Sequence, residues 1–476
     1  MSKFSDVLNF YIEKKQTKLY TLSRLCQIDR TTLYRLTRGK QCPSSVDTVI
    51  RLAEAMKLTP QQKSQLCEAW EITSTGEELW YQRRAAEHLL LNVPNIDLNT
   101  VHHPWSSSDI LFPDTQNTFT LKSHEEFRFF LETMLTKESQ SVRPQLMLLL
   151  QPEHTKFTDL LLCDPRIDTF DIHHILCLNN HISPSEQNTS FFSYNIECLE
   201  ALLPLHIYRQ NFHSYYYYDN VQTHFHSIGL MPCMILTGSS AITCSADFSF
   251  GIAHTDPATV TMLGEIFRKY INSAHSLVFR NDCISSEFVN QFRHFLARES
   301  VLFGPDPYIF SWLSPEILQK YLTETFRQNT ELFQSFSNYL AIWKEYSEIS
   351  GISWYTTRAS LEHFMATGRI SSLPEGLLHP LSCRDRHLYL EYLCDMSQTH
   401  CIRLVNEPLS CVPNHFHMYI STQSIFLTFP SDKSLLSGLI VNEPCLVDSF
   451  SDLFTSASES GAISQKETRE WFKSMI

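Results

Sequence analysis

Residues 29–40 read DRTTLYRLTRGK, and the side chains there with chemistry to offer recur at helical spacing. At about 100° per residue, Thr31, Tyr34, Arg35 and Arg38 point one way and Leu33 and Leu36 the other. Arg30 stands at the free amino end, and Lys40 lies just past Gly39. Guanidinium, phenol and hydroxyl groups on one face, with no carboxylate between residues 30 and 40, present donors suited to phosphate oxygens and base edges. Taken alone, the stretch is equally a solvated amphipathic helix with incidental arginines.

The elements that must position this face are written on either side of it. Asp29 is a good N-cap, and Gly39 suits the residue past a helix end, where φ is positive. The preceding helix, residues 21–27, is expected to turn Leu22, Leu25 and Cys26 inward, with the small Ser23 at the crossing. Residues 3–15 carry Phe4, Val7, Leu8, Tyr11 and Ile12 at helical spacing, a floor under the pair. A fourth helix is expected from Ser44, with Val46, Val49, Ile50, Ala53 and Met56 inside. Thr59, Pro60 and Gln62 open a fifth, residues 60–70, as a capping box with proline in the first turn.

Residues 21–43, followed by SSVDTVIRLAEAMKLTPQQK, resemble the helix-turn-helix domain of Cro and phage-repressor type regulators, the XRE family of bacterial transcription factors. The resemblance covers about 70 residues at the N-terminus. It implies base contacts from Arg30, Thr31, Tyr34 and Arg35, and phosphate contacts from Arg38 and Lys40. Two positions depart from the pattern. Gln27 stands where the turn glycine is usual, and Leu19 stands where a polar residue usually opens the first helix of the pair, removing one expected DNA contact.

A chain of 476 residues is too long for one core. Its formal net charge of −13 argues against a nucleic-acid partner until the distribution is examined. Residues 1–70 hold 12 Lys and Arg against 6 Asp and Glu, whereas the remainder holds 26 against 45, so only the N-terminal part suits phosphate. The 14 cysteines are never closer than seven positions, which speaks for reduced thiols rather than a secreted disulfide framework. No signal peptide is expected, and a cytoplasmic location follows. The uncharged run 220–246 is broken by polar residues, Pro232 and two glycines, so buried sheet is expected there and no membrane span.

The organisation expected is multidomain: an all-α five-helix helix-turn-helix domain (1–72), a connector helix and linker (73–118), and a large α+β effector region. The effector region divides into an α+β unit (119–280), a helical middle (281–400) and a second α+β unit (401–476). The connector helix, 77–91, shows Trp80, Ala85, Leu89 and Leu90 in a stripe the small domain has no use for. Residues 92–118, with Pro94, Pro104 and Pro113, read as extended linker. An internal repeat is visible: 251–267, GIAHTDPATVTMLGEIF, aligns without gaps to 438–454, GLIVNEPCLVDSFSDLF. Either a duplicated hairpin-plus-helix unit or convergent capping at Asp256-Pro257 and Glu443-Pro444 accounts for it.

Catalytic and metal signatures are sparse. No two of the 12 glycines are closer than eight residues, so a Gly-x-Gly phosphate loop is excluded, and neither Gly-x-Ser-x-Gly nor His-Glu-x-x-His occurs. Two His-x-His pairs, His224 with His226 and His415 with His417, have metal-site spacing but no Cys, Asp or Glu beside them at ligand spacing. Tyr215–Tyr218 suits a ligand pocket or plain sheet packing. The reading is a sequence-specific DNA-binding transcriptional regulator that is not an enzyme. It needs no cofactor or metal, binds double-stranded DNA as a homodimer, and senses an unidentified small molecule or peptide through the C-terminal region. The alternative is an enzyme or a peptide- or protein-sensing module with an appended helix-turn-helix domain.

Overall fold

The computed structural model describes residues 2–92, 117–153, 155–179, 190–227, 229–281, 292–293, 300–348, 351–414, 416–431, 435–457 and 462–476. The chain forms two compact units. The first is Met1–Arg84 with a short segment ending at Ser193, and the second is the remainder. The expected extended linker falls almost wholly outside the described residues.

The first unit is all helical: α1 (Lys3–Lys14), α2 (Leu19–Cys26), α3 (Arg30–Thr37), α4 (Val46–Ala55) and α5 (Pro60–Thr75), followed by α6 (Glu77–Asn92). Phe4, Leu8, Leu22, Leu33, Leu36, Val49, Leu52 and Leu66 meet in one core, so each helix donates the apolar stripe its spacing foretells. Thr59 and Gln62 form the capping box in front of Pro60. Three details differ from expectation. Leu25 is 61% exposed, because α2 packs through Leu22 and Cys26 one turn apart, which leaves Leu25 off that line. Val46 is also exposed, since it opens the first turn of α4 before the buried line Val49, Leu52 and Ala53 begins. Ser45, not Ser44, is the N-cap of α4, and its side chain makes no capping bond.

The second unit is α+β. Its first part runs β1 (Thr118–Leu121), α7 (His124–Glu138), β2 (Gln145–Leu149), α8 (Thr155–Cys163), β3 (Asp171–Asn179), α9 (Ser190–Tyr208) and β4 (Phe212–Asp219). It continues with β5 (Cys233–Leu236), β6 (Ala241–Cys244), β7 (Gly251–His254), α10 (Pro257–Ser273) and β8 (His275–Asn281). After β9 (Val301–Phe303) come α11 (Ile309–Trp312), α12 (Pro315–Tyr321), α13 (Glu324–Arg327), α14 (Thr330–Tyr346), β10 (Ser353–Thr356), α15 (Arg358–Thr367) and α16 (Cys383–Thr399). The chain closes with β11 (Cys401–Leu404), β12 (His417–Ile420), β13 (Ile425–Ser431), β14 (Leu435–Val441), α17 (Pro444–Ser456) and α18 (Gln465–Met475). The expected continuous helix 324–349 is broken where Asn329 caps α14, and Gln222–Ser227 makes a helical turn inside the run expected to be sheet.

All the described strands join one sheet, 14 strands among the described residues, in the order β1-β7-β6-β5-β2-β3-β4-β8-β14-β13-β12-β9-β10-β11. One pattern occurs twice in it. Three parallel strands (β2, β3, β4, then β9, β10, β11) are flanked by an antiparallel meander (β5, β6, β7, then β12, β13, β14), and the first strand of each set pairs antiparallel. The short sequence repeat is the last hairpin strand and following helix of each half. Its two acids act alike: Asp256 caps α10 through Thr259, and the buried Glu443 caps α17 through Cys445 and Leu446. Strand β8 pairs antiparallel with both β4 and β14, so those two run the same way, whereas β4 and β7 run oppositely. The second half is therefore turned over, and α10 and α17 lie on opposite faces, in separate cores. The Tyr218 hydroxyl donates to Glu443 across the junction of the halves.

The stripe of α6 finds its use in this unit: Ala86, Leu89 and Leu90 are buried in the same core as α7, α8 and α9. No described helix is long and apolar enough to cross a membrane.

Candidate nucleic-acid interface

Helix α3 forms where local chemistry places it. The Asp29 carboxylate accepts from the backbone N–H of Thr31 at 2.8 Å and of Thr32 at 3.3 Å, filling two of the donors a helix start leaves open. Those bonds hold its carboxyl below the usual range. At the other end Gly39 adopts φ +66°, and a Cβ there would lie 2.9 Å from the Ser2 nitrogen. Glycine is thus demanded twice, by the turn and by the close approach to α1. The Asn9 amide donates to the Thr37 carbonyl at 2.7 Å and ties the end of α3 to α1.

With its ends fixed, the helix buries Leu33 and Leu36 and exposes Arg30, Thr31, Tyr34, Arg35 and Arg38, with Lys40 exposed beyond it. The three arginines are held differently. Arg30 lies 5.5 Å from the centroid of the Tyr20 ring and Arg38 lies 4.5 Å from that of Tyr34, both cation–π distances. The Arg35 side chain makes no hydrogen bond, ion pair or ring contact among the described residues, which leaves the whole guanidinium fork for a ligand. Lys40 donates its backbone N–H to the Arg35 carbonyl at 2.9 Å, and so sits on the turn rather than the helix.

The turn between α2 and α3 is built without the usual glycine. Gln27 adopts φ 53° and ψ 39°, the left-handed region that costs a side-chain-bearing residue about 1 kcal/mol or more. Two bonds hold it there: the Ile28 N–H reaches the Ser23 carbonyl at 3.1 Å, and the Ser23 hydroxyl donates to the Ile28 carbonyl at 2.7 Å. Ser23 is small enough for the crossing and also supplies its bond. Gln27→Gly is expected to stabilise the unit by roughly 0.5–1 kcal/mol, the relieved strain less the greater freedom of glycine in the unfolded chain. The check is the urea midpoint; an unchanged or lower one would show that the Gln27 side chain contributes to holding the turn.

The other sequence candidates are dispersed. His417 is buried on β12, packed so that a Cβ on Gly304 would lie 2.6 Å from its Nδ1. His415 and the side chains of His224 and His226 lie outside the described residues. Among the described residues no group of three His, Cys, Asp or Glu is arranged to hold a metal ion. The tyrosine run serves the sheet: Tyr218 reaches Glu443, while the Tyr215 hydroxyl lies 3.3 Å from Nδ1 of His173 on the neighbouring strand. One regularity was missed in the sequence. The central Phe of each His-Phe-His triplet, Phe225 and Phe416, falls between the last parallel strand and the first meander strand of its half, and both are buried.

No protein-family model matches the chain, and no curated protein matches it. Among solved structures it is similar to TrmBL2, an archaeal chromatin protein whose structure is described as showing a novel mode of DNA binding. The identity is 13%, covering 45% of this chain and 70% of that one, with a TM-score of 0.21. It is also similar to polyphosphate kinase from Porphyromonas gingivalis at 8% identity, covering 69% of this chain and 48% of that one, with a TM-score of 0.20. Neither likeness is close enough to carry a residue's role from one chain to the other.

Proposed function

We propose that the chain is a sequence-specific, DNA-binding transcriptional regulator whose second unit mediates dimerisation and sensing. One observation carries this reading. A short helix fixed at both ends exposes Arg30, Thr31, Tyr34, Arg35 and Arg38 together, in the one part of the chain with net positive charge. Helices of this size enter the major groove, where arginine and hydroxyl donors meet base edges, and flanking basic residues hold phosphate. In this reading Arg30, Thr31, Tyr34 and Arg35 touch bases, while Arg38 and Lys40 touch the backbone. The reading assigns the chain no catalytic step.

So short a helix contacts few bases, so useful specificity calls for two copies on half-sites one helical turn apart, about 34–36 Å. The deciding experiment is selection of binding sites from random duplex DNA with the full chain, paired with sedimentation. A recovered palindrome and a dimer are expected; no enriched sequence would end the proposal.

The first unit has its own core, so residues 1–84 are expected to fold alone, yet to bind the selected site at least about tenfold more weakly than the full chain for want of a tethered second copy. Titration of both against the same duplex checks this; equal affinity would contradict the division of labour.

A further inference from the structure

The segment between α15 and α16 has no regular structure of its own, yet it is pinned along its length. The buried Asp306 carboxylate accepts from the Ser372 N–H at 2.9 Å and its hydroxyl at 2.6 Å. The Thr323 hydroxyl donates to the Gly376 carbonyl at 2.8 Å, and the His379 N–H donates to Tyr321. Gly368 adopts φ +70°, and a Cβ there would lie 2.5 Å from the Leu381 carbonyl oxygen. A loop fastened this often encloses space instead of collapsing. It forms most of the wall of a cavity of about 680 Å³, within the range of small-molecule sites.

The cavity's place in the sheet adds to the case. Asp306 follows the C-terminal end of β9, and Ser360, one turn into α15 after β10, donates to the Asn414 side-chain oxygen at 2.8 Å. Asn414, which lines the cavity, precedes β12, and β12 runs antiparallel to β9. The site therefore lies beyond the carboxyl ends of parallel strands, where open α/β sheets receive ligands.

The lining selects the ligand's chemistry. Arg369, His363, His379, the Ser371 hydroxyl and the Asn414 amide, whose oxygen is taken by Ser360, are donors or cation-capable groups. The one carboxylate, Glu375, is ion-paired with Arg369 at 2.8 Å, both well exposed. Ile370 and Leu373 supply apolar wall. We propose that this cavity binds a small organic anion, a carboxylate or phosphate group on an apolar body, which takes the place of Glu375 on Arg369. As the effector site it would deepen the regulator reading and rests on that reading for its consequence, though not for its chemistry.

The test is calorimetric titration of the full chain with benzoate, octanoate and phenyl phosphate, with benzyl alcohol as the neutral comparison. Saturable binding of at least one anion below about 1 mM is expected, with benzyl alcohol weaker by about tenfold or more. Arg369→Ala should weaken the anion about tenfold or more, whereas Glu375→Gln, which removes the competing carboxylate, should strengthen it several-fold. Opposite signs from two exposed residues exclude a general folding defect. No saturable binding of any of the three anions, equal binding of benzyl alcohol, or two variants indistinguishable from the native chain would each overturn the proposal. Anion binding in a chain that selects no DNA sequence would support the cavity's ligand while ending the regulator reading.

Discussion

Arg35→Ala is expected to cost roughly 1–3 kcal/mol on the selected site and to relax base preference at one position in each half-site. Arg35 projects from the middle of the exposed face of α3, and no partner restrains it among the described residues, so its fork is available to pair bidentately with guanine O6 and N7. Lys40 differs in kind. It lies past Gly39 on the turn, and with the backbone contact proposed for it, Lys40→Ala should weaken all sequences alike and flatten the salt dependence. Arg38, lying over the Tyr34 ring, is part-way ordered in the free chain, which suits the backbone contact proposed for it. Repeating the selection with Arg35→Ala decides the matter. An unchanged sequence preference with uniformly lower affinity would mean that Arg35 holds phosphate and that the base-contact assignment is wrong.

The candidate interface was legible because everything that builds it is local. Asp29 and the two N–H groups it caps are within three residues, and Leu33 and Leu36 are one turn apart. Leu25 was misread for the complementary reason. Spacing narrows a residue to one side of a helix, but only the crossing of α2 with its neighbours decides which part of that side is covered.

The larger repeat was half hidden. Its closing hairpin and helix keep a gapless pattern of glycine, acid-proline and phenylalanine, because capping and close packing leave few substitutes at those places. The parallel strands carry no such constraint. Between β2 and β3 lies α8 with a short 3₁₀ turn, whereas α11 to α14 intervene between β9 and β10, so no fixed sequence period survives. The His-Phe-His triplets, one in each half, are the available signal. The order of strands in the sheet is set by pairings between distant segments, which hydrophobic alternation cannot specify. The cavity of the second half lay beyond reach for another reason: residues 368–382 announce a loop through Gly, Pro and Ser, but which loops enclose space depends on anchors such as Asp306, far off in sequence.

Asp306 gives the second large effect, and its sign is fixed by its surroundings. The carboxyl is 1% exposed, and burial pushes it up to about 6 despite the Ser372 and Ser371 bonds that favour the charged form. In the unfolded chain it titrates near the ordinary 3.8. Between those values the folded chain keeps a proton that the unfolded chain has released, so the contribution is fully present below the lower value and is lost as pH rises through the upper one. The gap from 3.8 to about 6 corresponds to roughly 3 kcal/mol. Asp306→Asn keeps an oxygen to accept from Ser372 and never ionises. The variant should therefore gain on the native chain by roughly 2 kcal/mol between about pH 4.5 and about pH 7.5, the rest of the effect falling below that window. Comparing the two chains at each pH cancels the other titrating groups, so the readout is the change in the difference between their unfolding midpoints. A difference that does not move with pH would show that the buried group is not the acid that titrates. A variant less stable at both values would mean that the anchor to Ser372 needs a carboxylate even at the price of its charge.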